Sequence, residues 1–455
     1  MSRLTFTPVG GGREIGANAF LLSNGKLDVL LDCGLHPKKE GQASLPCLSL
    51  LTKAPEAVLI SHGHVDHCGA TPYLLKQFSS TTPYATCATL QIMDRMLHNS
   101  VSVMGAMALE RGIKEYPLYA HTDVDYVMRR AYGIEFEREF AVTTDGSVRA
   151  SFHPAGHVLG SAGILLRMAG HSLFYTGDIC ADDQELVNGL VLPNLRGNLD
   201  TLVIESTYGA NGEADNATLH DEVDRFAAAT RAVIERKGCA LVPSFALGRT
   251  QEMLTIVARL QREKRLPEVP VYASGLGRAI YEVYAKNVGM LRPEADLRPL
   301  SEFGRIGDAR DRKLLRDLVR KPAVVVATSG MMIENTPSAL LAQEMVRQRR
   351  HGIFFVGYLD PDTLGYKLLH SAAGDALRFE YNGPLVTRKL DDIRQFNFSA
   401  HAPRKALCEV VARLDPKNVV FVHGDPEAVA WMHERCRYDR RAFAPCLGET
   451  VALES

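Results

Sequence analysis

A short apolar run, Ala57-Val58-Leu59-Ile60, is followed at once by Ser61-His62-Gly63-His64-Val65-Asp66-His67. The run has the length and composition of a buried strand, so the loop after it is anchored at a strand end. His62, His64, Asp66 and His67 then place three imidazoles and a carboxylate within six residues. These are ligand types that borderline divalent ions such as zinc accept, at roughly 2.0–2.2 Å. Four of them in one loop point to two ions, because a tetrahedral ion seldom draws all its protein ligands from one short loop. A polar surface loop rich in histidine is the plain alternative. A metal site, unlike such a loop, demands further ligands from distant parts of the chain.

Other apolar runs end in the same way. Val29-Leu30-Leu31 runs into Asp32, Leu173-Phe174-Tyr175-Thr176-Gly177 into Asp178, and Val419-Val420-Phe421-Val422 into His423. His157 stands between Gly156 and Gly160, where a missing Cβ is expected to let the backbone approach an ion closely. Taken singly, each is an ordinary strand end. Taken together and in this order, they resemble the motifs of the metallo-β-lactamase superfamily. Two further segments, Leu202-Val203-Ile204-Glu205-Ser206-Thr207-Tyr208-Gly209 and Phe398-Ser399-Ala400-His401-Ala402, narrow the resemblance to the β-CASP nucleases. A histidine at 423 is similar to the third added motif of their RNA-processing branch, which includes the endonuclease of mRNA 3′-end formation and its prokaryotic relatives.

The resemblance covers essentially the whole chain and implies an α/β fold: a metallo-β-lactamase αββα sandwich with an inserted α/β β-CASP domain. The rhythm of the sequence changes near 209, where Leu241-Val242-Pro243-Ser244, Val269-Pro270-Val271-Tyr272, Ala323–Ala327 and Ile353-Phe354-Phe355-Val356 alternate with helical segments. That alternation predicts a parallel sheet covered by helices. The expected division is therefore 1–208 for the first part of the sandwich, 209–392 for the insertion and 393–455 for the returning part. Beside a metal loop, an inserted domain is expected to form a cleft that admits a single strand.

By the same resemblance, two Zn2+ ions are held by His62, His64 and His157 and by Asp66, His67 and His423, with Asp178 bridging. Asp66 counts among the catalytic residues as well as the ligands. Asp32 is expected to orient a ligand loop through hydrogen bonds. His401 is the expected general acid, held protonated by Glu205, while zinc-bound hydroxide attacks phosphorus and leaves 5′-phosphate and 3′-hydroxyl ends. Ser329, Gly330, Thr363 and Ser399 are the expected substrate contacts. The remaining histidines, His153 among them, are read as structural.

Bulk properties are consistent with this and do not select it. A length of 455 residues allows two to three domains, and 46% hydrophobic with 23% charged residues describes an ordinary soluble chain. No apolar run reaches the ~20 residues of a membrane span. Met1-Ser2-Arg3-Leu4-Thr5-Phe6 does not begin a secretory signal, and the nine cysteines contain no Cys-x-x-Cys pair. A reduced, cytoplasmic protein without membrane attachment is expected. The net charge of −1 announces no nucleic-acid binder, so any RNA surface must be local. Basic clusters occur at Arg310, Arg312, Lys313, Arg316, Arg320 and Lys321, and at Arg347, Arg349 and Arg350; they are read as solvated helix faces, with a phosphate-tracking groove as the second reading.

Some positions depart from the family pattern. Pro403 stands where an acidic residue is common, and Leu359 and Tyr366 stand where relatives often carry Gln and Arg. These leave the metal chemistry alone and bear on RNA contact. Single-stranded RNA is the expected partner, with single-stranded DNA and a homodimer left open. Two other classes compete: a non-catalytic RNA-processing scaffold, and a small-molecule thioester or lactone hydrolase of the same fold.

Overall fold

Residues 4–195, 198–212 and 218–454 are described by a computed structural model, which divides into two units. The first comprises Met1–Asp183, Asn188–Asp215 and Ala400–Ser455; the second comprises Gln184–Val187 and Asn216–Ser399.

Two seven-stranded sheets form the first unit. One carries, in spatial order, Val451–Leu453, Leu4–Gly10, Ala19–Ser23, Asp28–Leu31, Ala57–Leu59, Thr82–Thr86 and Tyr132–Ile134. The other carries Arg441–Phe443, Asn418–Val422, Thr201–Glu205, His171–Tyr175, Ala162–Met168, Val148–Pro154 and Phe140–Ala141. Side chains alternate across a strand, and the runs here are apolar on both faces. Phe20, Val29, Leu31 and Leu59 meet Phe152, Ile164, Leu173 and Val203 between the sheets. Their neighbours point outward: Leu30, Val58 and Ile60 meet Leu74, Met93 and Leu97 on helices, and Leu202, Ile204 and Phe421 meet Leu407, Val411 and Met432. Each such fully buried side chain contributes about 1.5–3 kcal/mol. The result is the αββα sandwich.

The second unit is a parallel six-stranded sheet in the order Gly304–Arg305, Val271–Ala273, Ala323–Ala327, Cys239–Pro243, Gly352–Phe355 and Ile393–Gln395. Helices cover both faces: Phe226, Leu254 and Val257 pack on Val242 and Val326, and Leu315, Leu341 and Met345 pack on Leu241 and Val325.

The boundaries differ from 208/209 and 392/393. Ile393–Gln395 pairs with Gly352–Phe355, which carries the inserted unit on to Ser399. Gln184–Val187 joins that unit because the backbone N–H groups of Glu185 and Leu186 donate to the Glu252 carboxylate at 2.8 and 3.0 Å.

Cys408, on the helix Arg404–Leu414, stands against Cys436, at the end of the helix Pro426–Arg435, with a Cα–Cα separation of 5.0 Å, a spacing that a disulfide can span. Pro403 is the N-cap residue of the helix Arg404–Leu414. Among the described residues, no helix is long and apolar enough to cross a membrane.

Candidate metal centre

Strand ends assemble this centre within the first unit. Asp28–Leu31 and Ala57–Leu59 run parallel, with Leu31 opposite Leu59, so Asp32 and the loop of His62 leave from the same edge. His171–Tyr175, Thr201–Glu205 and Asn418–Val422 are parallel too, which brings Asp178, Glu205 and His423 out together. Gly34 lets the histidine loop close down, since a Cβ there would stand 1.7 Å from the carbonyl oxygen of Asp66.

Asp32 and His423 hold left-handed backbone, at φ 59° and 50°. That conformation costs a non-glycine residue roughly 1–2 kcal/mol. Both are buried and tied: the Asp32 N–H donates to Leu59 O (2.9 Å), and the His423 N–H donates to Gly11 O (3.0 Å). The glycines flanking His157 act differently from the sequence expectation. A Cβ at Gly156 would meet Cys180 O at 2.5 Å, and one at Gly160 would meet Thr89 N at 2.8 Å. They allow close packing against neighbouring backbone and not approach to an ion.

Two of the three imidazoles in the first group are turned by a partner on the far nitrogen. Nδ1–H of His157 donates to Ala400 O at 2.8 Å, leaving Nε2 as a lone pair. The Ser61 hydroxyl donates to Asp32 and can accept from Nδ1–H of His62 at 3.1 Å, leaving His62 Nε2 as a lone pair. Both nitrogens face His64 Nδ1, at 3.0 Å from His62 and 3.1 Å from His157. Asp178 Oδ2 closes the group, 3.6 Å from His62 Nε2 and 3.7 Å from His157 Nε2. Burial holds His62 and His157 well below the ordinary imidazole pKa, and His64 below it, so all three present neutral rings.

Asp66, His67 and His423 form a second group. His67 Nε2 is 3.3 Å from Asp178 Oδ2, and His423 Nε2 is 3.5 Å from Asp66 Oδ2. His67 differs from the first three rings: burial opposes its protonation, but Asp178, Asp66 and Asp32 outweigh burial and raise its pKa. Burial likewise opposes ionisation of Asp66 and Asp178. His67 and His423 beside them hold both carboxyls well below the usual range.

These residues fit a pair of divalent cations. His62 Nε2 and His157 Nε2 both lie about 3 Å from His64 Nδ1, which has at most one proton to share between them, so the first group is incomplete as a hydrogen-bonded cluster. A tetrahedral ion with ~2.0–2.1 Å bonds separates its donors by roughly 3.3 Å, which matches. Asp178 Oδ1 and His423 Nε2 are buried without a hydrogen bond, a costly state unless a cation engages them. Among the described residues no thiol joins these ligand groups; Cys33 and Cys68 are buried, and burial raises both.

Beside the two groups lies a different pair. His401 Nδ1 is 3.1 Å from Glu205 Oε2, and its ring centroid is 4.6 Å from that of His157. Burial opposes protonation of His401, but the Glu205 carboxylate outweighs it and raises the pKa to about 9. Glu205 is also within reach of Asp178 and His423 as a third ligand set. Its oxygens are taken already, by Ile179 N–H (2.7 Å), the Thr207 hydroxyl and His401, so an orienting role fits it better. The side chains of His401 and Asp66 keep 22% and 23% exposure, whereas His62, His67, His423, Asp178 and Glu205 keep 3% or less. Those two, with the half-buried His64, mark the open side.

Three residues escaped the sequence reading. Asn18 is fully buried, and its Nδ2 lies 3.0 Å from both His67 Nε2 and Asp66 O. Tyr175 donates its hydroxyl to Asp32 at 2.7 Å. Thr207 Oγ1 lies 3.1 Å from His423 Nδ1 and also contacts Glu205. The glycine-dense segment before Asn18 was the one available signal; Tyr175 and Thr207 were hidden inside apolar or polar runs.

The substrate-contact candidates lie in the inserted unit. Ser329 and Gly330 follow the strand Ala323–Ala327; Ser329 Oγ accepts from Ile333 N, and a Cβ at Gly330 would press on Phe245 at 2.9 Å. Thr363 caps the helix Leu364–Leu369 by accepting from Tyr366 N and donates to Asp360 O at 2.6 Å. Ser399 ends the unit. These contacts give Ser329, Gly330 and Thr363 local structural tasks.

A sandwich with metal-ligand groups at its strand ends is the mark of the metallo-β-lactamase superfamily, whose model matches residues 12–203. A Beta-Casp domain model matches 250–368, and a model for the Zn-dependent metallo-hydrolase RNA specificity domain matches 386–445. The chain is 30% identical over 421 residues to RNase aCSPSF2 of Saccharolobus solfataricus, covering 92% of this chain and 79% of that protein. It is 29% identical over 441 residues to cleavage and polyadenylation specificity factor subunit 3 of Dictyostelium discoideum, covering 95% of this chain. There it spans about half of the relative's length, 54%. A protein of unknown function from Enterococcus faecalis V583 shares the fold, with a TM-score of 0.57 and 14% identity over 99% of this chain and 100% of that one. The chain belongs to the β-CASP family of the metallo-β-lactamase superfamily.

Proposed function

We propose that this protein is a zinc-dependent ribonuclease that hydrolyses phosphodiester bonds of single-stranded RNA and leaves 5′-phosphate and 3′-hydroxyl ends. The observation that carries the reading is the His401–Glu205 pair standing beside two metal-ligand groups that meet at Asp178. A thioester hydrolase has less need of such a proton donor, because a thiolate departs without one. The relatives named as an RNase and as a cleavage and polyadenylation specificity factor subunit support the same substrate class.

His62, His64 and His157 would hold one zinc and Asp66, His67 and His423 the other, with Asp178 common to both. When bound, two such cations lower the pKa of water and neutralise charge on the phosphoryl group. The protein's own part is orientation and proton supply. Asp32 fixes His67, Ala400 O fixes His157, and Thr207 fixes His423. His401, held protonated by Glu205, donates to the ribose 3′-oxygen as the P–O3′ bond breaks, so that oxygen leaves as a hydroxyl. The proposal includes a cytoplasmic location.

The test is cleavage of a single-stranded RNA labelled separately at each end, with zinc-loaded protein and a His62→Ala control. Internal products or a ladder absent from the control support the ribonuclease and give its direction. Intact RNA with both ions bound would replace it with the scaffold reading.

A further inference from the structure

The inserted unit carries a charged feature that the metal centre does not use. Arg316, Arg320, Arg347 and Arg350 line one cavity of about 570 Å³, with Glu344 as the single carboxylate in its wall. They converge from three segments: the helix Arg312–Leu318 and the turn after it, the residues after the helix Pro337–Met345, and the approach to the strand Gly352–Phe355. In the sequence they fall in two clusters; the fold makes them one.

Arg350 forms the base. Its guanidinium donates to Val319 O at 3.3 Å and to Lys237 O and Arg320 O at 3.4 Å, and its Nε is buried without a partner. Arg316, Arg320 and Arg347 are exposed around it. Local carboxylates answer little of this charge: Asp317 pairs with Arg320 at 3.0 Å, and Glu344 lies 4.0 Å from Arg312.

Position in the sheet gives the cavity its meaning. Cys239–Pro243, Ala323–Ala327 and Gly352–Phe355 are parallel, with Cys239 opposite Ala323 and Ala240 opposite Gly352. Lys237, Lys321 and Arg350 therefore all lie just before strand starts, at one edge. Ser329 and Gly330 lie at the other edge, about 16 Å away along a five-residue strand.

We propose that this arginine-lined cavity binds the phosphodiester backbone of single-stranded RNA, at the sheet edge opposite Ser329 and Gly330. The inference rests on the ribonuclease reading. Guanidinium groups suit phosphate oxygens, which they meet bidentately. No aromatic side chain lines the cavity, so no base is stacked there, and the contact is sequence-independent and salt-dependent. A mononucleotide would find charge without a platform for its base.

The test is RNA affinity of the full chain in chelator, where no RNA is consumed. The native protein, Arg316→Ala/Arg320→Ala/Arg347→Ala and the matching triple Lys variant are compared on a ~40-nucleotide oligouridylate across a salt series. All three positions are exposed, and Arg350 is kept. Removing three phosphate contacts should weaken binding about tenfold at low salt and lower the slope of log affinity against log salt by about 2. The Lys variant should recover most of both. Unchanged affinity and slope in the Ala variant would overturn the proposal while leaving cleavage intact. Binding of ATP or pyrophosphate that the Ala variant loses, with RNA affinity unchanged, would overturn it in favour of a free phosphate ligand. Native protein that neither binds nor cuts RNA would instead defeat the ribonuclease reading itself.

Discussion

Oδ2 of Asp32 lies 2.7 Å from Nδ1 of His67, and neither side chain has any exposure to water. The same carboxylate accepts from Ser61 N–H, the Ser61 hydroxyl and the Tyr175 hydroxyl, each at 2.7 Å. Four donors converge on two oxygens, which fixes the ring plane of His67: Nδ1–H donates to Asp32, and Nε2 faces Asp66 and Asp178. Strain at Asp32, in the left-handed region, is outweighed by these bonds, because hydrogen bonds to a buried charge are worth about 1.5–3 kcal/mol each.

Asp32→Asn tests that relationship. An amide at this place turns an NH2 group toward one of four donors, so one buried donor loses its acceptor. Zinc affinity should fall about 10–100-fold, as for other groups that orient a ligand from behind. Tyr175→Phe, which removes one donor and leaves the carboxylate, should fall less. Chelator competition on the two variants measures both. Equal losses, or none in Asp32→Asn, would show that Asp32 does not orient His67.

His401 and Glu205 should separate chemistry from metal binding. His401→Ala should lower the cleavage rate by about 10²–10⁴, the usual worth of a general acid, while zinc content stays at the native level. Glu205→Gln should lower the rate in the same direction, since a neutral amide stabilises the protonated ring less. Metal analysis beside single-turnover rates decides the matter. Loss of both zincs in His401→Ala would make His401 a ligand and end the division of roles.

Thr207 links the two systems through one hydroxyl, in contact with Glu205 and 3.1 Å from His423 Nδ1. Thr207→Val keeps the shape and removes the link. His423 then loses one of the two groups at its Nδ1, the other being Asp178 Oδ1 at 3.2 Å, and Glu205 loses a donor. We expect a lower affinity for one zinc of the pair and a slower rate, each by about tenfold. Titration showing two unchanged zinc affinities would sink the idea that the hydroxyl orients His423.

Legibility in the sequence followed chain locality. His62, His64, Asp66 and His67 are adjacent, and the runs before Asp32, Asp178 and His423 are apolar on both faces, so strand ends carrying ligands could be read directly. The pairing of Glu205 with His401 is different: 196 residues separate them, and the family resemblance, not periodicity, brought them together. Ile393–Gln395 was missed as a strand because it is a short, polar edge strand, with neither alternation nor apolar content. Cys408 and Cys436 are 28 residues apart on two helices, a spacing without a sequence signature. Asn18 and Thr207 each act through hydrogen bonds of one side-chain atom to two partners, which periodicity does not announce.

Glu252 gives the inserted unit its own pH dependence. Its buried carboxyl accepts from the backbone N–H groups of Glu185 and Leu186, on the short segment that joins this unit from outside its main span. Burial raises its pKa to about 7 against Arg249 nearby, which pulls the other way. In the unfolded chain the group titrates at its ordinary value, 4.5. The folded pKa is the higher one, so the favourable contribution is fully present below pH ~4.5 and is lost as pH rises through ~7. Taken over that interval the change is on the order of 3 kcal/mol. Glu252→Gln removes the titration, though its amide satisfies only one of the two N–H groups and lowers stability at acid pH. The difference in melting temperature between native and variant should therefore shrink from pH 5 to pH 8, read on the transition of the inserted unit. A difference independent of pH would mean that Glu252 is ionised in the folded protein throughout, with Arg249 and the two N–H groups outweighing burial.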